Sequence, residues 1–169
     1  MNRQDLRRLV EIGIAVALVA VLSNIRVYKL PQGGSITAGS LVPIFYIALR
    51  WGGKAGVLAG VLAGAVNYIL EPFFVHPAQV LLDYPVAFGL LGLAGFFQRS
   101  PVIGIAVGGL GRFLAHFISG VVFFASYAPE GTSPAVYNGS YMLPEVIISI
   151  VLTLLVLRAM QRIRPVQPA

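Results

Sequence analysis

The sequence predicts an all-α membrane protein: one domain, residues 1–169, folded as a bundle of six transmembrane helices with both termini cytoplasmic. Three observations lead there. Hydrophobic residues make up 57% of the chain against 11% charged, and the mean hydropathy is +0.85, a bilayer composition. A chain of 169 residues has room for about five to seven spans at roughly 20 residues each. The cations also alternate: Arg3, Arg7, Arg8, Arg50, Lys54, Arg99, Arg158, Arg162 and Arg164 all fall at the ends that the positive-inside rule assigns to the cytoplasm. Only Arg26 and Lys29 fall in an outer loop, and Arg112 falls within a span. The net charge of +6 therefore reports topology and gives no reason to expect a nucleic-acid partner.

The first apolar run, Ile12 to Leu22, is followed by no small-x-small cleavage pattern, so it counts as a span, about Leu6 to Asn24 and outward-going. Arg26 to Gly39 then reads as an outer loop, with turn chemistry at Pro31-Gln32-Gly33-Gly34-Ser35. Span two, about Ser40 to Trp51, returns and is short for a bilayer. Gly52-Gly53-Lys54 forms a tight inner turn. Span three, about Ala55 to Leu70, carries two stripes at every fourth residue: Ala55, Ala59 and Ala63 beside Gly56, Gly60 and Gly64. Such stripes make a smooth face that neighbouring helices can approach closely.

Span four, about Ala78 to Phe97, returns inward, and span five, about Val102 to Ala125, goes out with its own stripe at Gly111, Ala115 and Ser119. A second outer loop is expected from Ser126 to Tyr141. Span six, about Leu143 to Met160, opens on Pro144 and Glu145, residues suited to a helix start.

The polar groups then decide what such a bundle does. An acid in hydrocarbon is costly and needs a partner, so Asp83 is the residue to explain. At about 1.5 Å per residue, Asp83 lies roughly 8 Å inside the outer end of span four, and His116 roughly 13 Å below that of span five. The inner halves of spans three to six carry almost nothing polar. A channel needs polar groups at successive depths. A polar cup open to the outside above a sealed floor suits a binding protein instead, and a cation is one ligand that would satisfy its acid.

A structural role is the alternative, with Asp83 pairing Arg112 only to hold spans four and five together. Phe73, Phe74, Phe123, Phe124 and Tyr127 suit an interfacial aromatic belt or an outer pocket that attracts a cation. Glu145 reads as a helix-start acid, and Glu71 and Glu130 as solvated loop charges.

The chemistry that is missing narrows the choice. There is no cysteine and there are two scattered histidines, so neither a disulfide nor a metal site is expected. No phosphate-binding G-x-x-x-x-G-K-[ST] motif occurs, and Gly52-Gly53-Lys54-Ala55 lacks its spacing. Neither H-E-x-x-H nor G-x-S-x-G is present. The expectation is a non-enzyme without a cofactor, against an intramembrane enzyme using Asp83 and His116 as acid and base.

Five segments occur in order: Pro31-Gln32-Gly33-Gly34-Ser35-Ile36; His76-Pro77-Ala78-Gln79 with Leu82-Asp83-Tyr84-Pro85; His116-Phe117-Ile118-Ser119-Gly120; Tyr127-Ala128-Pro129-Glu130-Gly131; and Tyr137-Asn138-Gly139-Ser140-Tyr141. With these, the chain resembles the thiamine-specific substrate-binding (S) component of energy-coupling factor (ECF) transporters. The resemblance covers most of the chain, from the first loop into span six. It implies six helices, a vitamin site near the outer surface under the loop between helices one and two, and a prokaryotic cell membrane. The implied partners are one transmembrane coupling subunit and two ATPases, docked through small residues of helix one, here Gly13, Ala17 and Ala20.

Matched by motif, Asp83 stands at the family's acidic vitamin contact, followed by Tyr84. His116 matches its binding-site histidine, and Gly120 leaves room beside the ligand. Tyr137 and Asn138 match a tyrosine and an asparagine of the outer loop region, across a stretch that looks shortened between Gly131 and Tyr137. The family site can be walled by tryptophans, whereas the only tryptophan here is Trp51; Phe124 and Phe73 take aromatic positions instead. An S component for another vitamin or precursor is the alternative within the family.

Overall fold

The computed structural model describes residues 2–30, 34–124 and 133–163. Helix α1 (Arg3–Leu22) starts at Asn2, whose side chain accepts from the backbone N–H of Asp5 at 2.8 Å, a regular N-cap. A hairpin follows, β1 (Arg26–Lys29) antiparallel to β2 (Ser35–Thr37), so the expected loop is paired strand for much of its length. Helix α2 (Val42–Trp51) is as short as its sequence predicts. The turn after it is tighter than expected: Gly52 alone reverses the chain at φ +89°, a conformation glycine adopts without Cβ strain, and α3 (Gly53–Leu70) begins at once.

Helix α4 spans Pro77–Phe97 and is not uniform. A π-helical turn occupies Leu82–Val86 around Pro85, and the last stretch, Gly92–Phe97, is 3-10. Proline lacks the N–H that would bond back to Leu81, which fits the wider local winding. Helix α5 covers Pro101–Phe123 and α6 covers Pro134–Ile163. The start of α6 corrects the sequence reading: Tyr137, Asn138 and Tyr141 lie on its first turns, not in a loop. Pro144 and Glu145 lie inside the helix, not at its start. The turn residues Pro31, Gln32 and Gly33, the loop residues Tyr127 and Glu130, and Arg164 lie outside the described residues.

Among the described residues, four helices are long and apolar enough to cross a membrane: Gly53–Leu70, Pro77–Phe97, Pro101–Phe123 and Pro134–Met160. Val42–Trp51 is a shorter apolar helix, and α1 carries Asp5, Arg7, Arg8 and Glu11 in its first turns. The short α2 is the centre of the bundle, with Ile44, Phe45, Ile47 and Ala48 at most 1% exposed. An apolar helix wrapped on all sides is a core element. Its neighbours in the core are Val19, Ala63, Phe88, Leu91, Ala94 and Ile105.

Both stripes of α3 are buried, and they face different partners. Ala55 and Ala59 pack with Ile12, Ala15 and Ile47 of α1 and α2. Gly56, Gly60 and Gly64 meet Ala48, the Phe88 carbonyl and the Tyr84 carbonyl, positions where a Cβ would collide. This close approach seats α4, and with it Asp83, against α3. The half of α6 away from the hairpin is less apolar than expected, since Ser149 and Thr153 are fully buried there. Large side chains such as Leu62, Leu110, Val122 and Leu155 face outward.

Candidate functional site

A cavity of about 490 Å³ lies between the hairpin and the hairpin-side ends of α3 to α6. Asp83 sits in its wall. The π turn carries both Asp83 and its neighbour Tyr84 in the cavity lining. The His116 Nδ1 lies 3.0 Å from Asp83 Oδ1. An ionised carboxylate only accepts, so Nδ1–H is the donor, and His116 Nε2 is left buried without a hydrogen-bond partner. On the other oxygen, Oδ2, Asp83 accepts from Gln79 Nε2 at 2.8 Å and Ser119 Oγ at 2.9 Å. The acid and the imidazole of the expected polar cup are therefore in contact.

Arg112 does something else. Its guanidinium lies 4.1 Å over the Phe88 ring, and Nη1 is buried without a hydrogen-bond partner. Among the described residues no ion pair joins it to Asp83, which speaks against the alternative of an Asp83–Arg112 helix clamp.

The hairpin forms the cover of the cavity and is tied down at three places. Glu145 of α6, 6% exposed, accepts from the Thr37 N–H at 2.6 Å and from the hydroxyls of Thr37 and Ser40. It is a buried acceptor, not a helix-start acid. The Gly34 N–H donates to the Tyr137 hydroxyl at 3.1 Å. Arg26 forms an ion pair with Glu71 at the end of α3, so Glu71 is not simply a solvated loop charge. That hydrogen bond holds the Glu71 carboxyl below its ordinary range and raises Arg26 further.

The rim is aromatic. Phe73 and Phe124 stack with centroids 5.8 Å apart, and both line the cavity. The Tyr84 hydroxyl donates to the Glu71 carbonyl at 2.9 Å and accepts from the Phe73 N–H at 3.0 Å, which fixes the segment between α3 and α4. Phe123 stacks instead on His76, which caps α4 through Ala78 N–H, and Phe74 is 62% exposed. The aromatic cluster thus divides between pocket and periphery.

All eight residues singled out for binding, Phe73, Asp83, Tyr84, His116, Gly120, Phe124, Tyr137 and Asn138, line this one cavity. At Gly120 a Cβ would come within 3.0 Å of Pro134, so the glycine also admits the start of α6. Asn138 donates to the Pro134 carbonyl at 2.9 Å and accepts from the Tyr141 hydroxyl at 2.8 Å. Gly13 and Ala17 lie apart from the site on the exposed face of α1, with Ala20 half-buried. Trp51 is at the far end of α2, donating to Glu11 at 2.8 Å.

Sequence reasoning missed Gln79, Ser119, Thr37, Ser40, Tyr141 and Glu145 as parts of the site. Gln79 had a usable signal, four residues before Asp83 on one helix face. Glu145 had none, because its hairpin partners lie 105 and 108 residues away.

No group of three or more metal-ligating side chains occurs among the described residues. The cavity offers acceptors at Asp83 and His116 and apolar faces at the rim: a place to hold a small polar aromatic cation.

Comparison with known proteins places the chain in a family. Two relatives are each described as thiamine transporter ThiT. The one from Bacillus subtilis is 40% identical over 94% of this chain and 95% of its own length. The one from Lacticaseibacillus paracasei is 32% identical over 74% and 72%. Among solved structures, ThiT from Listeria monocytogenes superposes with a TM-score of 0.79 at 22% identity, covering 96% of this chain and 97% of that one. The S component of a bacterial ECF transporter superposes with a TM-score of 0.63 at 18% identity, covering 95% and 99%. These two establish the fold. The family profile described as thiamine transporter protein (Thia_YuaJ) matches residues 9–164, and the chain belongs to that family.

Proposed function

We propose that this protein is the membrane-embedded S component of an ECF transporter, which captures thiamine outside the cell and hands it on for uptake. Family membership supports the substrate, and the likeness to an S component supports the mode. One observation carries the site: Asp83 and His116 meet at 3.0 Å in the cavity beneath the hairpin.

Thiamine is a cation with a flat aminopyrimidine ring. Asp83 balances its charge or accepts from the amino group, and the ligand in turn offsets the cost of burying the carboxylate. His116 completes the polar edge through Nε2. Phe73, Phe124 and Tyr84 offer ring faces to the cation. Tyr137 and Asn138 supply polar groups from α6, and Gly120 keeps the wall between them open.

The reading extends to the whole assembly. Six helices cross the cytoplasmic membrane of a prokaryote with both termini inside, α1 and the short α2 among them. Gly13, Ala17 and Ala20 make the face that docks on a transmembrane coupling subunit bound to two ATPases, which alone hydrolyse ATP. The exposure of Gly13 and Ala17 on α1 supports that role.

Calorimetric titration of the purified protein against thiamine, riboflavin and biotin tests the reading. Thiamine alone is expected to bind at micromolar concentration or below. Asp83→Asn and His116→Ala are each expected to weaken thiamine binding at least about ten-fold, while the protein still inserts and purifies. Indifference to thiamine would remove the assignment, and undiminished affinity in Asp83→Asn would remove the site.

A further inference from the structure

We propose that Gln79 and Ser119 are positioning residues for Asp83: together they occupy Oδ2, so that Oδ1 alone is presented to the ligand. The proposal rests on the reading of Asp83 as a thiamine contact.

Gln79 and Ser119 are each 1% exposed, and each line the cavity beside Asp83. The Gln79 amide has a defined orientation, because its Oε1 accepts from the Val75 N–H at 3.1 Å. Its Nε2 is therefore the end turned to Asp83 Oδ2, at 2.8 Å. From the opposite helix, Ser119 donates to the same oxygen at 2.9 Å. Ser119 follows His116 by three residues, so one face of α5 supplies a donor to each carboxylate oxygen.

A carboxylate oxygen accepts about two hydrogen bonds in its plane. Both directions at Oδ2 are filled from within the protein. Oδ1 has one filled, by His116, and one open. The side chain's last torsion is otherwise broad and roughly two-fold, so a free carboxylate offers either oxygen. Donors from two elements remove that freedom before a ligand arrives, which lowers the ordering cost of binding. They also fix His116: with Oδ2 taken, its Nδ1–H goes to Oδ1, and Nε2 is left as a buried acceptor without a hydrogen-bond partner.

A double-mutant cycle separates positioning from mere packing. Ser119→Ala, which removes one oxygen atom, is expected to weaken thiamine affinity about ten-fold by calorimetry. Gln79→Leu moves affinity in the same direction. In an Asp83→Asn background the Ser119→Ala step should shrink to about two-fold or less, because its effect passes through the charged carboxylate. Equal affinity of Ser119→Ala and wild type overturns the proposal. So does a full ten-fold loss that persists in the Asp83→Asn background, which is the mark of a packing role. If Gln79→Leu does not fold, the Ser119 cycle decides alone. Wild-type protein that ignores thiamine removes the functional reading and this inference together, whereas binding by wild type with an unchanged Ser119→Ala removes only the inference.

Discussion

Glu145 sits on α6 with its carboxylate against the hairpin, accepting one backbone N–H and two hydroxyls from Thr37 and Ser40. Removing the acid leaves the Thr37 N–H without its acceptor in a buried place, a loss of about 1–3 kcal/mol. Glu145→Ala is therefore expected to lower the thermal midpoint in detergent and to speed proteolysis within 26–37. An unchanged midpoint and digestion pattern would show that the hairpin is held by other contacts. The contrast with Asp83 explains which site residues the sequence reveals. Asp83 stands out because an acid inside an apolar run has no cheap local explanation. Glu145 follows a proline and resembles a helix-start acid, and nothing local announces partners on a strand more than a hundred residues earlier. Gln79 and Ser119 look equally ordinary until the fold brings them to one oxygen.

Among the elements, α3 and α4 make the closest pair. A methyl group at Gly60 would run into the Phe88 carbonyl, which belongs to the backbone and has little room to yield. Gly60→Ala is expected to cost about 1–3 kcal/mol as an overpacked contact, read as a lower thermal midpoint. It should also loosen the wall that carries Asp83. That α3 lets its neighbours approach closely was legible from its two small stripes at every fourth residue, but which helix takes the glycine stripe was not. The π turn and the early start of α6 were not. Periodicity marks where a helix runs but not how it is wound, and Pro134 to Tyr141 is too polar to look like a span.

The hairpin was read as loop because it joins two spans and carries turn chemistry at Pro31 to Ser35. Its pair with Glu71 gives a pH signature. Arg26 holds the Glu71 carboxyl below its ordinary 4.5, so this contact stabilises the folded state above that pH and is lost as pH falls through the depressed value. With Glu71 half-exposed, screening keeps the effect under about 1 kcal/mol. Wild type should lose slightly more thermal stability than Glu71→Gln between pH 7 and pH 3, and equal losses would contradict the pairing.

Among the described residues, one cluster of polar groups lines the cavity at the hairpin end and a second surrounds Glu11 at the far end, while many large side chains on the outward helix faces are apolar. The surface proposed for docking is separate from the cavity, so the two roles are separable by mutation. Nothing lies within 4 Å of a Cβ placed at Gly13. Gly13→Leu should therefore leave folding and thiamine affinity intact while it blocks uptake in cells that supply the coupling module. Loss of affinity in that variant would mean that α1 serves the cavity as well.

The lone indole of the chain closes the far end of α2, hydrogen-bonded to Glu11, which also receives Arg7 and Arg50. Phenol side chains, by contrast, surround the cavity at Tyr84, Tyr137 and Tyr141. The indole thus lies away from the phenols that line the cavity, with Tyr46 beside it through Arg50. Exciting both and watching only the red-edge emission would time how soon, after vitamin entry, the indole registers it, with no dye attached.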